Sequence, residues 1–230
     1  QPLLPQLEVI AGVGLIRCSG ILARNVGWLD AYFGAFDYDW LTSFVWQALE
    51  SPLVRSLLVD YHSPGGSHVG MEETASVMAA AGQRKPLVSF SGGMCCSAAY
   101  ALAVEAQRTY VTPSAQVGSL GSKLVVHDSS RLFEQSGIAV ETFSAGAAGR
   151  ELALKTMMEP GKPITDAERA FFRETTQHAG AWVARVKKLR PNSTGVSFQG
   201  GWVFGSQALT DHLVDGVVSG LDPLLIAMAA

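Results

Sequence analysis

The chain predicts an α/β fold built on a mostly parallel, buried sheet. Short apolar runs rich in Val, Leu and Ile alternate with segments of helical periodicity. Glycine-rich turns follow two of those runs, SPGG (63–66) and SGGMCCS (91–97). At 230 residues, 48% of them hydrophobic and 16% charged, the chain carries enough apolar side chain for one globular core.

In chain order, GVGLIRCSGILA (12–23) reads as a strand pair or one bent strand, and WLTSFVWQALE (40–50) as a helix. RSLLVDY (55–61) reads as a buried strand running into SPGG, and MEETASVMAAAG (71–82) as a helix closed by Gly82. KPLVSF (85–90) is a strand and SAAYALAVEA (97–106) a helix. RTYVTP (108–113), LVVHD (124–128) and IAVETFSAG (138–146) read as strands. Residues 165–190 read as one long helix, with Phe171, Thr175, His178, Trp182, Val186 and Leu189 on one face. Thr165 and Glu168 fit a capping box at its start, and Pro191 stops it. GGWVFG, SQALTDHL and VDGVVS then give strand, helix and strand. Residues 1–39 read as N-terminal strands plus an aromatic-rich segment packed on the core or on a neighbouring subunit, and 40–230 as a single domain.

The net charge of −3 gives no footprint for nucleic acid or an anionic membrane. No run of 18 apolar residues suggests a membrane span. The chain begins at Gln1 rather than Met and so reads as trimmed, with any leader or anchor upstream. Three cysteines, Cys18, Cys95 and Cys96, make no disulfide framework and point to a reducing compartment. There is no CxxC pair, and His62 and His68 lack a third ligand, so no metal site is expected.

The chemistry concentrates on the two glycine turns. Loops at the carboxyl ends of neighbouring parallel strands converge on one crevice. Ser97 opens a predicted helix, which places its hydroxyl near the positive end of the helix dipole. Free backbone amides beside it would suit the oxyanion of acyl transfer. The same residues also suit a plain glycine turn with an N-cap serine. Cys95 and Cys96 read as small packing residues, and Asp60 as a cap for the SPGG loop.

SPGG, then a small-residue turn with Ser97 followed by Ala98, then VGSLG (117–121), resembles the S49 serine peptidases. These include signal peptide peptidase A enzymes and phage capsid-assembly proteases of the protein C type; MCCSA is nearer the phage branch. The resemblance runs from about Trp40 to about Leu221 and includes W-V-F-G-S-Q-A-L-T-D-H-L-V-D-G. It implies the ClpP/crotonase-like fold, with repeated β-β-α units and helices flanking the sheet, and a Ser–Lys dyad. Ser97 would be the nucleophile, Gly66 and Ala98 would supply oxyanion amides, and Ser119 would hydrogen-bond the lysine. An extended peptide would lie beside SPGG, at Gly65 and Ser67. The resemblance also implies a homo-oligomer of tetramer or octamer type; the aromatics of segment 28–46 suit either that assembly or ordinary core and loop packing. It places the chain in the bacterial cytoplasm or on a phage particle, acting on peptides or protein chains, with a membrane-anchored form left open.

One position departs from the family pattern. The G-x-x-K lysine falls on Gly149 when counted forward from the preceding strand, and on Lys155 when counted backward from Thr165. A general-base lysine has its pKa lowered from about 10.4 to about 7–8, at a cost of about 4 kcal/mol, so it needs desolvation. Lys155, among Leu152, Leu154, Met157 and Met158, has the apolar setting for this. Lys123 and, for a Ser-His peptidase of ClpP type, His127 are the alternative bases; Arg150 stays protonated and is excluded. The Gly149 departure also fits a peptidase-like assembly protein without activity. A crotonase-type thioester enzyme is disfavoured by Ser97.

Overall fold

The computed structural model describes residues 6–144 and 157–230. These form two compact units, one from residues 6–121 and 181–230 and the other from 122–144 and 157–180.

The first unit carries a six-stranded sheet. Its strands are β1 (Leu7–Ile10), β2 (Val13–Ser19), β5 (Ser56–His62), β6 (Leu87–Ser91), β8 (Arg108–Val111) and β11 (Gly216–Val217), in the order β1-β2-β5-β6-β8-β11. Only β1 runs antiparallel, against β2; the other four pairings are parallel. This is the mostly parallel sheet expected from runs buried on both faces. The pleat sorts those runs. Ile16 and Cys18 of β2 join Leu57, Val59 and Tyr61 of β5 in the main core. Val13, Leu15 and Leu58 point the other way, against Leu224 and Leu225 of α9 (Leu221–Ala229). Helices α2 (Tyr38–Glu50), α3 (Met71–Arg84) and α4 (Ala98–Ala103) bury their apolar faces in the main core.

Two small sheets complete the unit. One orders β7 (Met94–Cys96), β9 (Gln116–Gly118) and β10 (Trp202–Phe204) as β10-β9-β7; the other pairs β3 (Ile21–Ala23) with β4 (Ala35–Asp37). Segment 63–67 touches both, through bridges Ser63–Cys95 and Leu22–Gly66. A half-buried polar lock closes the far end. Arg190, just after α7 (Trp182–Leu189), meets Asp215 at 2.6 Å, and Asp215 also accepts from the Thr109 N–H at 2.7 Å.

The second unit holds α5 (Ser130–Gln135) and α6 (Asp166–Ala179). The expected capping box is formed: Thr165 N–H donates to Glu168 at 2.6 Å, and Glu168 N–H donates back to Thr165 Oγ1 at 3.3 Å.

Several local expectations are corrected. The region 12–23 breaks at Gly20, which has φ +107, so β2 and β3 enter different sheets. The helix from Met71 does not stop at Gly82 but runs on to Arg84, with Gln107 donating to the Gly82 carbonyl. Residues 124–128 and 138–144 form no strand; Leu124, Val125, Ile138 and Phe143 are exposed and have no ladder partner among the described residues. The long helix of 165–190 splits at Gly180, which ends α6 before α7 begins. Of its expected apolar face only Trp182 and Val186 are buried.

Candidate functional site

The site grows from one backbone feature. Ser97 ends β7 and caps α4 with φ +53 and ψ −123, a conformation L-residues rarely adopt. Its N–H donates to the Gly118 carbonyl at 2.7 Å, and its carbonyl accepts from Ala101 at 2.9 Å. The turn is thus held from both sides and presents a half-buried hydroxyl at the start of a helix. Among the described residues no side chain hydrogen-bonds Ser97 Oγ.

SPGG is pressed against this turn. Ser63 N–H donates to the Met94 carbonyl at 2.7 Å, and Cys96 N–H donates to the Ser63 carbonyl at 3.1 Å. Gly65 takes φ +101, and a Cβ there would stand 2.6 Å from Ser97 Cβ and 2.9 Å from Ala98 N. Only glycine fits. Gly66 lies flat against β3, where a Cβ would stand 1.9 Å from the Leu22 carbonyl oxygen. Leu22 N–H donates to the Gly65 carbonyl at 2.9 Å, and Ser67 N–H donates to the Leu22 carbonyl at 2.7 Å. The Gly66 and Ala98 N–H groups donate to no acceptor among the described residues. Tyr38 supports the loop from below, its hydroxyl donating to the Ser67 carbonyl at 2.7 Å.

The VGSLG segment forms the third side. Gly118 takes φ +123, and a Cβ there would stand 2.3 Å from the buried Ser197 Oγ. Ser119, also at positive φ (+55), donates its N–H to the Gly201 carbonyl at 2.5 Å. The two thiols before Ser97 are poor nucleophiles. Burial pushes the Cys95 thiol well up and the Cys96 thiol to about 11, so both stay protonated near neutrality. Asp60 sits at the end of β5 opposite Arg17 in the register. Burial raises its carboxyl above the usual range, with Arg17 and His62 acting against that. His62 is exposed and lies against Gly93, where a Cβ would meet its Nδ1 at 2.2 Å.

The structure therefore brings Gly65, Gly66, Ser67, Ser97, Ala98 and Ser119 together in the first unit. Lys123 and His127 are exposed residues of the second unit. Lys155 and Gly149 lie outside the described residues. Among the described residues no group of three or more His, Cys, Asp or Glu side chains is placed to hold a metal ion. No helix of the described residues is long and apolar enough to cross a membrane. Sequence reasoning missed Ser63 and Ser197. Ser63 had a signal, since a serine two residues before a glycine favours a side-chain turn onto the backbone; Ser197 had none, because its partner segment is 79 residues away at Gly118.

Comparison with known proteins gives the family. Residues 79–228 match the model of peptidase family S49. The head-tail preconnector protein GP5 of Enterobacteria phage P21 is 28% identical over 185 residues, covering 78% of this chain and 37% of that protein. Capsid assembly protease C of Escherichia phage lambda is 29% identical over 140 residues, covering 61% of this chain and 32% of that protein. The chloroplastic serine protease SPPA of Arabidopsis thaliana is 22% identical over 167 residues, covering 73% of this chain and 24% of that protein. The chain thus spans well under half the length of these relatives. Among solved structures, an enoyl-CoA hydratase/isomerase family member superposes with a TM-score of 0.54 at 13% identity, covering 97% of this chain and 73% of that one. At that identity the likeness speaks for a crotonase-like fold alone.

Proposed function

Because the chain belongs to peptidase family S49, we propose that it is a serine endopeptidase in which Ser97 is the nucleophile and Lys155 the general base. The observation that carries the reading is the pairing of a strained, helix-capping Ser97 with two amides, Gly66 and Ala98, that have no acceptor among the described residues. Ser97 Oγ attacks the peptide carbonyl as neutral Lys155 takes its proton. The Gly66 and Ala98 N–H groups hold the oxyanion of the tetrahedral intermediate. Collapse expels the amine, which leaves with the proton from Lys155, and water then hydrolyses the acyl-enzyme by the reverse path. Ser119 hydrogen-bonds and orients the lysine. No metal or cofactor takes part.

The substrate class is an extended, apolar segment of a peptide or unfolded protein, laid beside Gly65–Ser67. The names of the phage P21 and phage lambda relatives support a role among capsid proteins, in the bacterial cytoplasm or on the particle. The homo-oligomeric ring of tetramer or octamer type remains what the family resemblance implies.

The test is cleavage of apolar peptides and an unfolded protein by wild type, Ser97→Ala, Lys155→Ala and His127→Ala across pH. The expected result is an active wild type, losses of about 10³-fold or more for the first two variants, and near-normal activity for the third. Loss in His127→Ala with an active Lys155→Ala would move the base to His127. A wild type inert at every pH and assembly state would favour the alternative that the Gly149 departure suggests, an assembly protein without peptidase activity.

A further inference from the structure

We infer that Ser63, together with the backbone of Leu22, is the positioning device that aims the Gly66 amide at the oxyanion; this rests on the peptidase reading above. The Ser63 hydroxyl is fully buried and touches both polar groups of Gly65. It accepts from the Gly65 N–H at 3.1 Å and donates to the Gly65 carbonyl at 3.4 Å. The same carbonyl also accepts from Leu22 N–H at 2.9 Å. Gly65 at φ +101 is otherwise the most freely rotating kind of residue in the loop.

The consequence follows from peptide planarity. In a trans peptide the carbonyl of Gly65 and the N–H of Gly66 point in opposite directions. Anchoring the Gly65 carbonyl on β3 therefore turns the Gly66 N–H away from β3. Ser67 N–H, bonded to the Leu22 carbonyl, clamps the far side of Gly66. The near side is fixed as well, because Ser63 is zipped to Met94 and Cys96 through its own backbone. One residue thus ties the oxyanion peptide to the nucleophile turn. Without the Ser63 hydroxyl, the Gly65–Gly66 peptide loses one of the two bonds on its carbonyl, and the Pro64–Gly65 peptide before it loses the acceptor of its N–H, so less stops the Gly65 carbonyl from flipping into the site. Ser63 touches no reacting atom, so its effect falls on transition-state binding rather than on substrate binding.

The experiment compares wild type, Ser63→Ala, Ser63→Cys and Ser63→Thr for kcat, KM, Tm and inhibition by a peptide aldehyde, whose hemiacetal oxygen occupies the oxyanion position. Cysteine keeps the side-chain size while weakening the hydrogen bonds; threonine keeps the oxygen. The expected result is a fall of about 10–100-fold in kcat for the Ala and Cys variants, part of the cost of losing one oxyanion donor. KM should stay within about twofold, aldehyde affinity should fall in step with kcat/KM, and threonine should restore most of the rate. Wild-type kcat in either folded Ala or Cys variant overturns the inference. So does a loss in which KM rises with the fall in kcat and threonine rescues nothing, which would make Ser63 a packing residue only. An inert wild type, by contrast, sinks the peptidase reading itself.

Discussion

The Ser97 N–H donates to the Gly118 carbonyl at 2.7 Å. This bond pins the left-handed turn to β9 and occupies the amide of residue 97, while the next one, Ala98, donates to no acceptor among the described residues. The carbonyl is itself delivered by a glycine at φ +123, packed on Ser197 Oγ.

Gly118→Ala should therefore damage the site through its backbone. A non-glycine residue at this φ costs about 1–2 kcal/mol, and the overlap with Ser197 adds about 1–3 kcal/mol. A drop in Tm of about 4–20 °C is expected by calorimetry. A variant melting within a degree of wild type would show that the Gly118 turn is not held as described.

Gly65→Ala should uncouple folding from activity. Its Cβ would stand 2.6 Å from Ser97 Cβ and 2.8 Å from the Cys96 carbonyl, in the heart of the turn. Peptidase activity should fall about 100-fold or more, as for loss of an oxyanion donor, even in the fraction that folds. Circular dichroism with titration by a fluorophosphonate label checks this; unchanged labelling rates would count against the contact.

Native thiols should resist alkylation. Cys18, Cys95 and Cys96 are all buried, and burial holds each thiol above its ordinary range. At pH 8 iodoacetamide should leave the folded protein unmodified by intact mass while adding three groups to the unfolded chain. Rapid labelling of Cys96 in the folded state would reopen the question of which side chain at this turn is the nucleophile.

The Arg190–Asp215 pair should set part of the acid stability. Burial acts to raise the Asp215 carboxyl, but the Arg190 guanidinium, the Thr109 N–H and Arg108 outweigh it and hold it below its ordinary value. A group depressed in the fold contributes stability above its unfolded pKa, near 3.9, and loses it as pH falls through the lower folded value. Asp215→Asn, which leaves Arg190 half-paired, should cost about 3 kcal/mol at neutral pH. The gap from wild type should narrow below about pH 4. A gap that stays constant down to pH 2 would place the effect in packing rather than in charge.

The parallel sheet was legible because β2, β5 and β6 are apolar on both faces, and that pattern survives any local ambiguity. The turn at Ser97 was legible because glycines and small residues cluster beside it. Sequence alone did not reveal β7 and β9: they are three residues long, and they pair with each other and with Ser63 and β10, partners that lie apart in the sequence. The strands expected at 124–128 and 138–146 show the converse. Their composition favours extended chain, yet a strand needs a ladder partner, and none stands beside the described part of them. The helix from Thr165 was readable at its capped start and unreadable at Gly180, where a glycine proved a true break after Gly82 had proved a false one.

The backbone at Ser97 also restricts how this position can change over generations. With φ +53, a side chain branched at Cβ is strongly disfavoured, so threonine is the one hydroxyl residue excluded there. Cysteine and glycine fit the same angles with less strain. Under the role proposed for Ser97, exchange at this turn would therefore admit a thiol in place of the hydroxyl, or a silent glycine, and no threonine nucleophile.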